Sequence, residues 1–305
     1  MPVVTAPRLG FLGLGWIGSS RLEAIERSGA ARVAAVADPL VEGALPSYER
    51  LLASDIDGVV IATPSGLHAE QALAALEREL PVFVQKPVGR TAEEVRAVVA
   101  AAEAADVLLG VDLSYRHAEA FRVARRCVRS GELGAVFAAD LVFHNAHSPG
   151  KTWSRDPVLA GGGCVIDLGI HLVDLAVWTL DLEPMTVASR LRGTPLETWA
   201  TAELDHVRIA CSWDLHEGAD ARIEATFHGT EGGVRVSNLG GSFYDFRCEL
   251  LQGSSSQPLV EPPDEWSGRA AVEWAQRLAA GERFDAAGAA EIVRVAEILD
   301  RIYGR

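Results

Sequence analysis

The residues that decide the fold are Gly13-Leu-Gly15-Trp-Ile-Gly18, a G-x-G-x-x-G sequence near the start of the chain. The apolar run Leu9–Leu12 before it predicts a strand, and residues Ser19–Ser28 after it predict a helix. Glycines in this context allow a tight turn, backbone approach to a pyrophosphate and close helix–strand packing, and the helix N-terminus attracts phosphate. The residues of this loop predicted to bind the cofactor are Gly13, Gly15, Trp16, Ile17 and Gly18.

A carboxylate stands where such a fold binds the adenosine ribose. Asp38 follows the predicted strand Arg32–Ala37 and lies 20 positions after Gly18, which places it to accept hydrogen bonds from the ribose hydroxyls. The next basic residue is Arg50, so no cation close in sequence would neutralise a 2′-phosphate. NAD is therefore favoured over NADP as the cofactor. The alternative is a glycine turn in a non-binding domain, with Asp38 as a turn residue.

The domain organisation follows from a change of pattern near residue 116. Before it, short apolar strands alternate with helices, which is typical of a doubly wound parallel sheet. After it, strands predominate. We predict an α/β Rossmann domain at residues 1–116 and an α+β domain at 117–305 with a large, mostly antiparallel, open-faced sheet. The C-terminal helix at about 288–303 is expected to pack back on the Rossmann domain, and the Ser/Pro-rich segment 253–263 to form a loop.

Composition and charge exclude several classes of function. The 305 residues are 49% hydrophobic, enough for two cores. A net charge of −14 without a Lys/Arg cluster argues against a nucleic-acid partner. Apolar runs such as Val59–Ala62 have the length of strands, so no membrane partner is predicted. No C-x-x-C pattern occurs, which favours reduced thiols in a cytoplasmic protein; the cysteines are Cys127, Cys164, Cys211 and Cys248.

Polar residues follow two neighbouring predicted strands, where an open α/β sheet binds its ligands. Lys86 stands out because the only other lysine in the chain is Lys151, and a lysine titrates more readily than an arginine when it is desolvated. It is a candidate catalytic residue, and the alternative is a surface lysine in a loop. The other residues predicted to line the cofactor cleft are Thr63, Pro64, His68 and Gln85.

A second constellation lies in the sequence GGGCVIDLGIHLVD at residues 161–174. Asp167 and His171 are four positions apart, which places them on one helix face, where the carboxylate can orient the imidazole. The three glycines allow another group to approach closely. The alternative is a helix-start aspartate and a half-buried histidine. Metal binding through His171 and Asp174, or through His144 and His147, lacks a third ligand, so no metal is predicted.

The motifs GLGWIG, ATPSGLH, QKP, YRH and GGGCVIDLGIHLVDLAVW together resemble the glucose-fructose oxidoreductase / inositol dehydrogenase family (Gfo/Idh/MocA) over about residues 8–180. The resemblance implies a Rossmann domain, an open-faced C-terminal sheet, sheet-mediated dimers or tetramers, and redox chemistry at a ring carbon of a sugar or cyclitol. The catalytic lysine of the family falls on Lys86, and its helical D-x-x-x-H pair falls on Asp167 and His171.

Two departures from the family pattern affect the cofactor site. Gln85 stands where the family usually has Glu, which keeps an acceptor but removes a charge beside Lys86. Only residues 39–47 separate Asp38 from the next helical stretch, where the family usually has another helix. We therefore expect altered contacts near Lys86 and a more open pocket on the adenine side.

The predicted function is hydride transfer between NAD and a secondary alcohol or ketone carbon of a sugar, cyclitol or aminocyclitol. His171 is expected to remove the hydroxyl proton, Lys86 to donate a hydrogen bond to the same oxygen, and Asp167 to orient His171. Three alternatives remain: a reductase of ketosugars, including nucleotide-linked ones; a non-catalytic NAD-binding regulator; and an enzyme that uses transient oxidation to drive elimination or hydrolysis.

Further contacts are predicted from residues near the ends of strands. Arg116 is assigned to the cofactor, Asp112 is placed near the cleft, and Asn145 and Arg155 are further candidate substrate contacts. The predicted substrate contacts are Lys86, Tyr115, His144, Trp153, Asp167 and His171. An exposed sheet face, expected from strands such as Ile223–Phe227, predicts a homodimer or homotetramer.

Overall fold

The computed structural model of the protein describes residues 6–305 and divides into two compact units. Unit 1 contains the described residues up to Leu113 together with Gly268–Val293. Unit 2 contains Ser114–Ser267 and Arg294–Arg305. After Ser267 the chain returns to unit 1 for Gly268–Val293 and then enters unit 2 again, so each unit is made of two separate segments.

Unit 1 is a parallel five-stranded sheet in the order β2-β1-β3-β4-β5. Strand β3 is fully buried, as a parallel strand covered on both faces should be. The strands are β1 (Arg8–Leu12), β2 (Arg32–Ala37), β3 (Gly58–Ile61), β4 (Val82–Val84) and β5 (Leu109–Val111). The helices between them are α1 (Trp16–Ser28), α2 (Tyr48–Leu52), α3 (His68–Leu76) and α4 (Ala92–Ala105). The predicted Rossmann fold is confirmed.

Residues 268–293 join unit 1 because the helix α8 (Arg269–Ala279) carries an apolar face that fits its sheet. The Trp274 ring lies 5.6 Å from the ring of Phe83, centroid to centroid. A Cβ on Gly110 would lie 2.5 Å from the Trp274 ring, so the sheet presents a glycine where the indole packs. The last helix, α9 (Ala286–Tyr303), is divided between the units at Val293.

Unit 2 is built on an eight-stranded sheet in the order β13-β12-β11-β10-β6-β9-β8-β7. Every neighbouring pair is antiparallel except β6 and β9, which confirms the mostly antiparallel sheet. The first four strands are β6 (Val136–Asn145), β7 (Val187–Arg192), β8 (Trp199–Leu204) and β9 (Val207–Ser212). The others are β10 (Ala221–Gly229), β11 (Gly233–Asn238), β12 (Phe246–Gln252) and β13 (Ser255–Val260).

The prediction of a loop at 253–263 is wrong, because residues 255–260 form the edge strand β13. Pro258 pairs with Glu249 of β12. An edge strand leaves one side without a neighbour, so a proline is tolerated there. Serine and proline in this segment therefore reflect an edge position rather than a loop.

One face of this sheet packs against the helices α5 (Glu119–Arg129) and α7 (Ile170–Leu180), and the short helix α6 (Pro157–Ala160) precedes α7 in the chain. The apolar side chains of β10, from Ile223 to Phe227, point into that core, so they do not form the exposed face expected from the sequence. The opposite face is polar and carries ion pairs: Arg208–Asp140, Arg222–Glu224 and Arg235–Glu249.

The core of unit 2 contains a long apolar helical segment. The run Pro157–Leu180 is long and apolar enough to cross a membrane by length and composition, with a mean hydropathy of 1.6, although no such run was expected from the sequence. Of its most apolar window, 78% is buried inside the fold, as in the core helix of a globular protein.

Candidate active site

The glycines of the 13–18 loop serve two different purposes. Gly13 has φ +88°, and a Cβ there would lie 2.7 Å from the carbonyl oxygen of Ala62. A Cβ on Gly18 would lie 2.2 Å from the carbonyl oxygen of Gly13. By contrast, a Cβ on Gly15 would meet no atom within 4 Å. Gly13 and Gly18 thus hold the turn against the sheet, while Gly15 leaves open space in front of the helix.

That open space lies at the N-terminus of α1, where Gly15 is the N-cap residue. No side chain among residues 6–305 caps this helix end, and Trp16 at its first position is 66% exposed. Uncapped N–H groups and the helix dipole form an anion-binding end. The structure therefore fits the pyrophosphate of a dinucleotide at Gly15, Trp16 and Ile17.

Asp38 ties the glycine loop to the end of β2. Its Oδ2 accepts a hydrogen bond from the backbone N–H of Leu14 at 2.6 Å, and its Oδ1 accepts one from that of Leu40 at 2.8 Å. Each carboxylate oxygen can accept a second bond. Asp38 therefore fixes the loop and still has acceptor capacity for ribose hydroxyls.

His68 joins the two segments that follow β3 and β4. Its Nδ1 lies 2.7 Å from the carbonyl oxygen of Pro87, and its Nε2 lies 2.8 Å from that of Thr63. The ring is 1% exposed, and burial lowers the pKa of His68. Thr63 in turn donates to the amide oxygen of Gln71 at 2.5 Å. His68 thus positions the backbone beside Lys86, and a direct contact of its side chain with cofactor stays a prediction.

Gln85 is part of a buried polar network rather than a free acceptor. Its Nε2 donates to Oδ2 of Asp112 at 2.5 Å, and Nε of Arg21 donates to the same oxygen at 2.6 Å. All three side chains are less than 10% exposed. A glutamate at position 85 would place a second carboxylate against Asp112, so the glutamine suits the Arg21–Asp112 ion pair. Lys86 follows directly and is partly exposed.

In unit 2, Asp167 and His171 lie where a π-helical turn, Val165–Gly169, continues into α7. Single π turns inside helices occur often at functional sites. The Tyr115 ring packs edge-on against the His171 ring at 4.8 Å between centroids. The Trp213 indole N–H donates to Oδ2 of Asp167 at 3.1 Å. Both members of the predicted pair are therefore held by side chains distant in sequence.

Tyr115 packs against His171 as a buried side chain of this site and is not exposed for contact with a substrate. It is 7% exposed and packs among aromatic rings that include Phe143 and Trp266. Burial raises the pKa of its phenol, so the group stays neutral. Phe143 also lies near the His171 ring, at 6.1 Å between centroids. A substrate contact by Tyr115 stays a prediction.

The glycines before the π turn make room for the protein's own side chains. A Cβ on Gly163 would lie 2.0 Å from the carbonyl oxygen of Glu197, and one on Gly162 would lie 2.3 Å from the hydroxyl of Tyr303. The Glu197 carboxylate accepts bonds from the N–H groups of Gly163 and Val165 at 2.8 and 3.0 Å, and from the Tyr303 hydroxyl at 2.7 Å. The close approach expected from the glycines is thus made by Glu197 and Tyr303.

The remaining candidates of unit 2 have partners within that unit. Arg116 forms an ion pair with the buried Asp174 at 2.5 Å, so its cofactor contact stays a prediction. His144 is buried, which lowers its pKa, and its Nδ1 lies 2.8 Å from Oγ of Ser212. The ammonium of Lys151 lies 5.5 Å above the Trp153 ring.

No group of three or more His, Cys, Asp or Glu side chains that could hold a metal ion occurs within residues 6–305. Sequence reasoning missed Arg21, Glu197, Trp213 and Tyr303 as supporting residues. The only sequence signal for these residues was indirect, because three successive glycines indicate that another group packs closely but do not identify that group.

The parallel sheet, the glycine loop at a helix N-terminus and the Asp–His helix define a Rossmann-fold oxidoreductase that binds a nicotinamide dinucleotide. Comparison with protein families agrees. Residues 8–113 match the NAD-binding Rossmann fold of the GFO/IDH/MocA oxidoreductase family, and residues 121–235 match a C-terminal domain of the same family. The chain belongs to the Gfo/Idh/MocA family of oxidoreductases.

Individual relatives show the range of this family. The rhizopine catabolism protein MocA of Rhizobium meliloti is 29% identical over 231 residues, 72% of this chain and 71% of that protein. Inositol 2-dehydrogenase of R. meliloti is 28% identical over 255 residues, 76% of each chain. The 3-ketoreductase KijD10 of Actinomadura kijaniata, solved with NADP and TDP-benzene, superposes with a TM-score of 0.86 at 19% identity and 98% coverage of both chains, a likeness of fold.

Proposed function

We propose that this oxidoreductase transfers a hydride between NAD and a secondary alcohol or ketone carbon of a sugar, cyclitol or aminocyclitol. The observation that carries the proposal is the Asp167–His171 helix, fixed by Trp213, Tyr115 and Glu197. A scaffold that holds one carboxylate and one imidazole in place suits proton transfer to or from a hydroxyl. The similarity to an inositol 2-dehydrogenase supports a polyol as the substrate.

His171 is the proposed general base, which takes the hydroxyl proton during oxidation and returns it during reduction. Asp167 orients the imidazole and stabilises its protonated form. Lys86 donates a hydrogen bond to the substrate oxygen and stabilises its developing negative charge. When bound, the nicotinamide supplies the hydride chemistry.

We propose NAD rather than NADP as the cofactor. The Asp38 carboxylate follows directly after β2 and would repel a 2′-phosphate, and the backbone N–H groups of Leu14 and Leu40 hold it there. Titration of intrinsic tryptophan fluorescence with NADH and NADPH tests this choice. Tighter binding of NADPH would contradict it.

A spectrophotometric screen tests the reaction. We expect NADH to form when the protein is mixed with NAD and one member of a panel of cyclitols, aminocyclitols and sugars. We expect Lys86→Ala to lower the turnover about 10²–10⁴-fold while NAD still binds. NAD binding without turnover of any member would favour a non-catalytic regulator. Faster reaction of NADH with ketosugars, including nucleotide-linked ones, would favour a reductase, and release of an elimination or hydrolysis product would favour transient oxidation.

We further propose a cytoplasmic homodimer or homotetramer that associates through the polar face of the unit 2 sheet. A groove of about 550 Å³ crosses strands β6 to β9 on this face, with Trp199 and Arg190 in its lining. The four cysteines are buried, and we propose that they are reduced thiols, as is usual in a cytoplasmic protein. Light scattering tests the assembly: a dimeric or tetrameric mass supports it, and Thr201→Arg in the groove should lower that mass. A monomer at micromolar concentration would contradict it.

A further inference from the structure

The ion pair between Arg21 and Asp112 is buried at the carboxyl end of β5. Arg21, on α1, is 4% exposed and donates from Nε to Oδ2 of Asp112, which is 1% exposed. Arginine and aspartate are almost never fully buried unless they are paired. A buried ion pair adds little to stability compared with well-packed apolar residues of the same volume. Its place at the sheet edge where an open α/β sheet binds ligands therefore suggests a role beyond stability.

This ion pair is joined to the residue that precedes Lys86. The side chain of Gln85 donates from Nε2 to the same Oδ2 of Asp112 at 2.5 Å. On the other side of Lys86, the carbonyl oxygen of Pro87 lies 2.7 Å from Nδ1 of His68. Gln85 and Pro87 are both buried, whereas Lys86 between them is partly exposed. Both neighbours of Lys86 are thus held in place, while Lys86 itself keeps exposed surface.

We propose that Arg21 and Asp112 are positioning residues for Lys86, and that positions 85 and 112 must hold one amide and one carboxylate between them. This inference rests on the proposed function, in which the Lys86 ammonium donates to the substrate oxygen. Oδ2 of Asp112 accepts from a guanidinium and an amide at once, so both of its lone pairs are used. An ionised glutamate at position 85 has no proton to donate and would repel Asp112. Glutamate, the usual residue of the family at this position, should therefore impair this chain as long as Asp112 is present.

Two single variants and their combination test the network, on whichever of myo-inositol, D-glucose and D-xylose the wild-type protein oxidises fastest. Gln85→Glu creates two adjacent carboxylates, and Asp112→Asn removes the carboxylate beside Arg21. Each should lower kcat about 10–100-fold, because a small misplacement of a catalytic group can cost that much. The values of kcat and kcat/KM should fall together, as expected when an interaction made in the transition state is lost. The double variant Gln85→Glu/Asp112→Asn exchanges the two groups and should recover kcat to within about threefold of the wild type.

Asp57→Asn is the matched control. Asp57 pairs with Arg8 in the same sheet, with Oδ1 and Nη2 2.8 Å apart, but at the opposite edge, since Arg8 begins β1 and Asp57 precedes β3. This variant should keep kcat within about twofold of the wild type, whatever melting temperature it loses. Single variants at 85 and 112 that lose melting temperature but keep kcat would show a purely structural network, which would overturn the inference. A double variant no more active than the singles would overturn it as well.

A second measurement needs no substrate. The only lysines in the chain are Lys86 and Lys151, so protein labelled with ¹³C at the lysine Cε atoms gives two side-chain NMR signals, which Lys151→Arg assigns. The Lys86 signal should move in each single variant and return close to its wild-type position in the double variant. The Lys151 signal, from unit 2, should stay in place. A Lys86 signal that does not move in the single variants would show that the network does not position this side chain.

The failure of this inference is distinguishable from the failure of the proposed function. A wild-type protein that oxidises none of the three polyols would contradict the proposed function for them, and this is visible without any variant. The lysine signals test the network in that case too. If Asp112→Asn does not fold, Gln85→Glu and the double variant still carry the test, because the double variant keeps one buried carboxylate for Arg21.

Discussion

The two glycine-rich segments of this chain look alike in sequence, but only the first contains a glycine, Gly15, that faces open space. At residues 13–18, a Cβ on Gly15 would enter open space at a helix N-terminus. At residues 161–163, a Cβ on Gly162 or Gly163 would collide with Tyr303 or Glu197. Gly15 therefore leaves room for a ligand, whereas Gly162 and Gly163, like Gly13 and Gly18, make room for the protein itself.

The two segments also differ in where their supporting residues lie in the sequence. The loop at 13–18 takes its function from the strand and helix on either side of it, so its motif is complete in sequence. The helix that carries Asp167 and His171 depends on Trp213, Glu197 and Tyr303, which come from distant parts of the chain. Substitutions should therefore act on cofactor binding in the first segment and on the fold and catalysis in the second.

The largest expected effect separates catalysis from cofactor binding. His171→Ala should lower kcat about 10²–10⁴-fold, because a positioned acid–base group contributes that much, while the dissociation constant of NAD changes little. Stopped assays of NADH formation and a fluorescence titration measure the two quantities. His206→Ala, at an exposed turn, is the control and should behave as the wild type. Full activity of His171→Ala would refute the assignment of the base.

The second effect tests whether the 161–163 glycines serve the fold. Gly163→Ala places a Cβ where the Glu197 carbonyl lies, so backbone must shift and stability should fall by about 1–3 kcal/mol. Urea unfolding followed by tryptophan fluorescence measures the loss. The affinity for NAD should stay close to that of the wild type. Unchanged stability would show that the backbone at 161–163 accommodates the added methyl group, and Gly163 would then not differ from Gly15 in its effect on the fold.

The third expected effect is the opposite one: at Gly15, a substitution should weaken NAD binding and leave stability unchanged. Gly15→Ala meets no protein atom within 4 Å, so the free protein should keep its stability. The added methyl group occupies the space in front of α1, where the pyrophosphate approaches the backbone, so NAD should bind about tenfold more weakly. Tight NAD binding by this variant would show that the phosphates bind elsewhere.

Much of unit 1 could be predicted from sequence because its signals are local. The parallel strands are short apolar runs, and Asp38 follows β2 at the spacing that the glycine loop requires. The position of α8 could not be predicted. Its Trp274 packs against Phe83 and Gly110, and the apolar pattern of α8 does not indicate which residues it will contact. The strand β13 was missed because its composition is that of a loop, and only its edge position allows Pro258.

The candidate site shows the same limit. Asp167, His171 and Lys86 could be singled out by spacing, rarity and resemblance, and the structure brings Asp167 and His171 into one supported helix. The supporting residues could not be singled out, since a glutamate before β8 or a tyrosine in the last helix is ordinary in sequence. Gln85 is explained only by Asp112, which the fold places beside it.

The smallest expected effect is a pH dependence of stability that arises from His68 in unit 1. Burial lowers the pKa of this imidazole below its value in the unfolded chain, about 6.5. Between the two values the unfolded state binds more protons, so stability is complete above the unfolded pKa and is lost as the pH falls below it. The slope for one proton is at most about 1.4 kcal/mol per pH unit.

Urea midpoints between about pH 5 and 7 measure this loss, since carboxylates such as Asp57, whose pKa is lowered by Arg8, act only below about pH 4. His68→Gln removes one titrating ring and should reduce the slope, leaving the part that comes from His144, whose pKa is also lowered by burial. This variant also weakens the link between the segments at Thr63 and Pro87. His206→Ala should leave the slope unchanged. An equally steep profile in His68→Gln would assign the proton to another group, and His68 would then join the two segments without making unit 1 sensitive to pH.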